Sequence, residues 1–225
     1  MEAQHQVSTR KLVDSEAEQA VLESLIEAAK PPAVGAGWLH YLLATPFRYA
    51  PLRRGTRYGG RHERGLWYGS ARVRTALAEV AYYRLVFLEG TAAALEPLVT
   101  ELTTLVASVR TPSGIDLTVP PFDPYHGELA APDSYDATQP LGAAMRAAGV
   151  VAFRSFSARD AGGVNVGVFD PAAFGRRAPR GFEAWHCTAT RERIEMISRS
   201  WFERRVWVFE RDAFLVDGRL PVPAL

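Results

Sequence analysis

Apolar positions along this chain recur with two different periods, and the switches between them mark out its elements. Ala17, Val21, Leu22, Leu25 and Ile26 return at helical spacing behind Ser15 and Glu18, which together have the form of a capping box. Pro31 and Pro32 end that helix, whose apolar stripe is expected to pack on the body of the protein, with docking of a partner as the alternative. Gly35 and Gly37 mark a loop before the apolar segment 38–44. Residues 47–49 read as a short strand, 52–65 as an irregular loop and 66–68 as a second short strand. A helix is predicted from Ser70 or Ala71 to about Arg84, because Val73, Ala76, Leu77, Val80 and Tyr83 fall near a 3.6-residue period. Residues 85–88 read as a turn into strand.

Further on, the apolar and β-branched stretch 95–110 reads as strand, with helix as the alternative, and 111–140, rich in Pro, Asp and Gly, mostly as loop. A short helix is expected over 141–148, with Gly149 as its cap. Strands are expected over 150–153, 164–169, 194–198 and 206–210, with a basic loop over 176–180. No internal repeat or linker is visible. Many short strands with few helices predict an α+β fold.

Composition narrows the class. The chain has 225 residues, 48% hydrophobic and 23% charged, enough to bury a core without disulfides. Cys187 is the single cysteine, so no intrachain disulfide can form. A net charge of +1 excludes a protein that binds nucleic acid by bulk charge. No segment approaches the roughly 20 apolar residues of a membrane span, and the first residues lack the apolar core of a signal peptide, so a cytoplasmic location is expected. Of the 26 basic residues only Lys11 and Lys30 are lysine, leaving 24 arginines, whose planar fork grips phosphates in a bidentate manner.

Candidate chemistry gathers in two places. Between Arg48 and Arg84, Gly55, Gly59 and Gly60 let backbone approach a ligand beside Arg57, which is either a surface arginine or a contact to an anion. Tyr68 is either core or the wall of a pocket for a planar ring. Glu79 sits in the apolar and aromatic run TALAEVAYY, where it either faces solvent beside Arg72 or Arg84 or lines a pocket. The second place is FRSFSARDAGGVN, residues 153–165, which is either a polar hairpin or an opposite wall that brings Ser157 and Arg159 to the same ligand. P-loop, zinc-site and nucleophile-elbow motifs are missing, and His186 beside Cys187 is a poor geometry for one metal.

The order R…GTRY…WYGS…TALAEV…YR, followed about eighty residues later by FSARDAGGVNVGVF, resembles the RES domain over roughly residues 46–172. That family is named for an arginine, a glutamate and a serine. Its members are typically NAD+-degrading toxins paired with Xre-type antitoxins, with a core like that of ADP-ribosyltransferases. The resemblance implies that Arg57, Glu79 and Ser157 stand at the family positions, with Tyr68 on the intervening strand. Arg61 repeats the Gly-Gly-Arg pattern but lies seven residues before Tyr68, against eleven for Arg57, and the longer spacing fits the family.

By this resemblance Arg57 anchors the diphosphate of NAD+, and Tyr68 stacks on nicotinamide or its ribose. Glu79 stabilises the ribosyl cation and orients water or phosphate, and Ser157 bonds the ribose or amide, with Arg48 and Arg159 as further contacts. The implied activity is an NAD+ glycohydrolase or phosphorylase using NAD+ as substrate, with no cofactor and no metal. The alternatives are an ADP-ribosyltransferase acting on a macromolecule and a non-catalytic binding module. An Xre-type antitoxin and homo-oligomerisation within that complex are the implied partners. The implied organisation is a tail and helical extension over 1–45, a catalytic core over 46–175 and C-terminal strands over 176–225 that complete the same domain.

Overall fold

The computed structural model describes residues 9–32, 35–51, 53–200 and 203–223. Its α+β fold sets two four-stranded sheets against one long helix that touches both. The first sheet has the order β1 (Trp67–Ser70), β5 (Val164–Val168), β4 (Ala152–Phe156), β3 (Gly114–Asp116), antiparallel except for the parallel β3–β4 pair. The second is an antiparallel run of β2 (Leu98–Val106), β6 (Arg180–Ala189), β7 (Arg193–Ser198) and β8 (Val206–Glu210). Because β2 belongs to this second sheet, the last three strands pair onto a strand from the middle of the chain.

The helices are α1 (Glu16–Ala29), α2 (Tyr41–Ala44), α3 (Val73–Glu89), α4 (His126–Leu129) and α5 (Thr138–Ala147). Helix α3 contacts β1 and β5 on one side and β7 and β8 on the other. Its Leu77, Ala78, Ala81, Leu85 and Leu88 are buried against Trp185, Cys187, Ile194 and Met196 of the second sheet. That continuing stripe explains why 85–88 stay helical instead of turning into strand: Leu85 and Leu88 extend the buried face by another turn.

Three further expectations differ from the structure. Residues 47–49 are not a strand; Pro46 opens a 3-10 turn over Thr45–Phe47, where its missing N–H costs nothing. Within the 111–140 segment lie β3 and α4. Strand β6 lay unrecognised, although Trp185, Cys187 and Ala189 alternate as buried positions at the period of a strand.

Helix α1 forms behind the Ser15 cap, whose hydroxyl accepts from the Glu18 N–H at 3.2 Å. It does not bury its apolar stripe: Val21 and Leu25 are 60% and 62% exposed. Its buried residue is Gln19, bonded to Thr9 and Glu23, and its link to the body includes the Glu27–Arg48 ion pair. Helix α5 ends as expected, with Gly149 in the left-handed region at φ +75°.

Strand register decides which residues share a face. Tyr68, Gly167 and Phe153 align across β1, β5 and β4, as do Ser70, Asn165 and Ser155 one step along. Directly opposed residues point to the same side, so Tyr68, Ser70 and Asn165 lie together. Phe153 packs on this side with Tyr58, Leu66 and Met145. The reverse side carries Trp67, Ala152, Val166 and Val168, packed with Leu39, Leu43, Phe47 and Phe174.

Candidate active site

The β4–β5 loop and the start of α3 are tied together by side chains of modest size and high burial. Asp160, 4% exposed, accepts from the Thr75 hydroxyl at 2.6 Å and pairs with the Arg74 guanidinium. Arg72 donates to the Gly162 carbonyl at 3.0 Å, and the Ala71 N–H to the Val164 carbonyl at 2.8 Å. Gly163 is required here, because a Cβ would strike the Thr75 side chain and the Asp160 carboxylate. These contacts bring the loop against the first turns of α3.

Glu79, one turn further along α3, is half-buried. Its Oε1 accepts from the Ser157 hydroxyl at 2.7 Å and from Asn165 Nδ2 at 2.6 Å. No described residue bonds Oε2. Ser157 is itself held in the loop: its Oγ accepts from the backbone N–H groups of Arg159 and Asp160 at 3.0 and 3.1 Å. On the other side, Ser70 donates to Asn165 Oδ1 at 2.7 Å.

Arg57 sits at the tip of a tight turn closed by the Thr56 N–H to the Gly59 carbonyl, 2.7 Å. Gly55, at φ +79°, enters this turn where a Cβ would collide with the Gly59 carbonyl. Arg57 Nη1 donates to the Ala131 carbonyl at 2.7 Å, and its guanidinium lies 5.0 Å from the Tyr135 ring centroid. Arg159 reaches the same segment from the other side, donating Nη2 to the Pro132 carbonyl at 2.7 Å. Its guanidinium rests 3.5 Å from the Tyr82 ring centroid. Only 9% exposed, Arg159 leaves Nη1 buried without a partner among the described residues. Burial pushes its pKa down, and the neighbouring charge of Arg57 adds to the effect, while Glu79 opposes it. Two guanidiniums near each other, one with an unused buried donor, make a site that gains from an anion.

The Arg57 and Arg159 guanidiniums bond the carbonyls of consecutive residues, Ala131 and Pro132, and Ser157 links the Arg159 backbone to Glu79. Tyr68, on β1, is 38% exposed as a whole residue, and its hydroxyl accepts from the Tyr58 N–H at 2.9 Å. The hydroxyl also pairs with Thr56 Oγ1 at 3.0 Å. Tyr68 therefore braces the Arg57 turn. Arg48 is elsewhere: its Nη1 bonds Glu27 of α1, and so it does not join the cluster as expected. Arg61 is exposed and bonded to the adjacent His62.

Asn165, Tyr82, Tyr135 and Asp160 were not singled out as site residues. The Gly-Gly-x-Asn pattern was a usable signal for Asn165; for Tyr135, in an irregular segment, no local signal exists. An apolar cleft of about 1030 Å³ runs between the first sheet, the start of α3 and β2, lined by residues that include Trp67, Tyr68, Ser70, Arg72, Leu102 and Val166. Arg57, Glu79, Ser157 and Arg159 do not line it. Among the described residues no cluster of three or more His, Cys, Asp or Glu is placed to hold a metal, and no helix is long and apolar enough to cross a membrane.

Burial raises the phenol pKa of Tyr58, which is fully buried, and that of Tyr68. Folded, both stay protonated above the value of about 10 at which the unfolded chain ionises. Their contribution to stability is thus whole below about pH 10 and is lost as pH rises through the raised folded values. The urea midpoint is expected to fall above about pH 10, and to fall less in Tyr58→Phe.

The RES domain family model matches residues 32–190, from before α2 to the end of β6. No curated protein matches the chain.

Proposed function

The chain belongs to the RES domain family, which includes NAD+-degrading toxins, and from that membership and the Glu79 cluster we propose that it cleaves the nicotinamide–ribose bond of NAD+. The observation that carries the reading is a carboxylate held by two donors on one oxygen, with no described residue bonded to the other, joined through Ser157 to the loop whose Arg159 reaches the same segment as Arg57. The arginines suit the diphosphate, the aromatic side chains suit planar rings, and the carboxylate suits the cationic ribosyl that forms as nicotinamide leaves. Nicotinamide departs as a neutral molecule, so no strong general acid is needed.

At ~4 Å and an effective dielectric of ~20, a carboxylate stabilises a unit positive charge by about 4 kcal/mol. That is roughly a thousandfold in rate. Water or phosphate then captures the ribosyl at C1′, giving a glycohydrolase or a phosphorylase. The core, on this reading, is of the ADP-ribosyltransferase kind, and an Xre-type antitoxin is the partner that neutralises the toxin by covering the cluster. Transfer of ADP-ribose to a macromolecule is the second reading, since the same ribosyl can be captured by another nucleophile.

The test is purified protein incubated with NAD+, with and without inorganic phosphate, followed by chromatography. Nicotinamide release with ADP-ribose as product supports hydrolysis, and a phosphorylated product that depends on phosphate supports phosphorolysis. Labelled macromolecule with no free ADP-ribose would favour transfer. No nicotinamide from any mixture would remove the enzymatic reading. Arg57→Ala is expected to raise KM for NAD+ about tenfold, roughly 1.4 kcal/mol, because a charge-assisted contact to the diphosphate is lost. The matching Arg61→Ala, at an exposed arginine, is expected to stay near wild type. A reversed pattern would move the anchor to Arg61.

A further inference from the structure

Resting on Glu79 as the group that meets the ribosyl cation, we propose that Asn165 and Ser157 are positioning residues. They grip Glu79 through Oε1 alone and so present Oε2 to the substrate, with Ser70 setting the amide of Asn165. Three features of the hydrogen bonding lead there.

Oε1 receives two donors, at 2.7 Å from Ser157 and 2.6 Å from Asn165. Two short bonds occupy both in-plane lone pairs of that oxygen. Any further donor or cation must be met by Oε2.

Ser157 has no capacity left for a ligand. A serine hydroxyl offers one proton and two lone pairs. Its lone pairs take the N–H groups of Arg159 and Asp160, so its proton goes to Glu79. The residue is 6% exposed. The role first expected for it, a bond to the nicotinamide amide or ribose, is therefore replaced by one that acts through Glu79.

Asn165 is oriented rather than free to flip. Ser70 donates to its Oδ1 at 2.7 Å, which turns Nδ2 toward Glu79. The reverse orientation would set Oδ1 against Oε1, acceptor facing acceptor. Ser70 and Asn165 are directly opposed in the β1–β5 ladder, so backbone hydrogen bonds fix their separation. Glutamate on a helix has three rotatable bonds. A donor from the sheet and another from the loop leave it a single arrangement, ready before the substrate arrives.

The experiment is a mutant cycle read two ways, by nicotinamide release from NAD+ and by the urea unfolding midpoint. Ser157→Ala and Asn165→Leu are each expected to lower kcat about ten- to a hundredfold with KM changed less than about twofold. Ser157→Thr, which keeps the hydroxyl, recovers most of the rate lost in Ser157→Ala. On a Glu79→Ala background either substitution lowers the residual rate by less than about twofold, because the group they position is gone. A rise in KM without a fall in kcat, or full additivity on Glu79→Ala, would overturn the proposal and return Ser157 to the ligand. The midpoints stand apart from the choice of substrate: the Asn165 and Glu79 substitutions are expected to shift them non-additively. Coupled midpoints in a protein that releases no nicotinamide would support the grip on Glu79 while rejecting NAD+ cleavage, and additive midpoints would overturn the grip itself.

Discussion

Glu79→Gln is expected to lower kcat for nicotinamide release about a thousandfold, the full electrostatic contribution of a carboxylate beside a developing cation. Glutamine is nearly isosteric, and its amide oxygen can still accept from Ser157 and Asn165, so the pocket keeps its shape. What changes is the group presented to the ribosyl, from an anionic oxygen to a neutral amide. KM should move little, because the binding of NAD+ is assigned to Arg57, Arg159 and the aromatic walls, which Glu79→Gln does not touch. Steady-state assays of nicotinamide against NAD+ concentration separate the two constants. A variant that kept its rate within about threefold of wild type would show that Glu79 bears no transition-state charge.

Asp160→Ala is expected to destabilise the protein by about 2 kcal/mol, in the range for leaving a buried hydroxyl without its acceptor. Asp160 holds two parts of the chain together. Its carboxylate takes the buried Thr75 hydroxyl and the Arg74 guanidinium near the start of α3, and its backbone N–H bonds Ser157 Oγ. Helix α3 has Arg72 at its N-cap with no side-chain cap, and no acidic residue in its first turn. Asp160, arriving from 85 residues away, therefore supplies the negative charge that a helix N-terminus favours. Alanine would leave Thr75 buried without its acceptor. The Arg74 contribution is smaller, since that side chain is 48% exposed and screened by water. Asp160→Asn keeps an acceptor for Thr75 and should lose less than half as much. Urea unfolding measures both; a loss below about 1 kcal/mol in Asp160→Ala would mean that the loop and helix hold together without it. Activity should fall along with stability, because the loop that loosens carries Ser157.

The 17-residue α3 shows where local reading works and where it stops. Its apolar period is written in consecutive residues, so its existence was legible, but its length was not. Leu85 and Leu88 look like the start of a strand until the second sheet supplies something to pack against. The same limit applies to α1, whose stripe of Ala17, Val21 and Leu25 predicts an amphipathic helix but not which surface, if any, will cover it. Strand β6 was missed for a different reason. Its alternation of Trp185, Cys187 and Ala189 is present in the sequence, but three residues over five positions become a strand only through pairing with β2 and β7.

The cluster divides in the same way. Arg57, Tyr68, Glu79, Ser157 and Arg159 were recognisable by residue type, spacing and family resemblance, because each belongs to a short motif. Arg48 belongs to such a motif as well, yet it pairs with Glu27, and nothing within a few residues of it foretold that partner. The residues that complete the arrangement come from far away: Ser157 meets Glu79 across 78 positions, Asn165 across 86. Such pairings depend on the β1–β5 register and on the loop that Asp160 pins to α3. Turn chemistry, helical period and side-chain identity are properties of neighbouring residues, and the amino-acid order alone determined them here. Which oxygen of Glu79 is gripped, which proton Ser157 gives up and which arginine is drawn away are set by packing between distant segments, where a bond forms only if the backbone has already brought its donor and acceptor within about 3 Å.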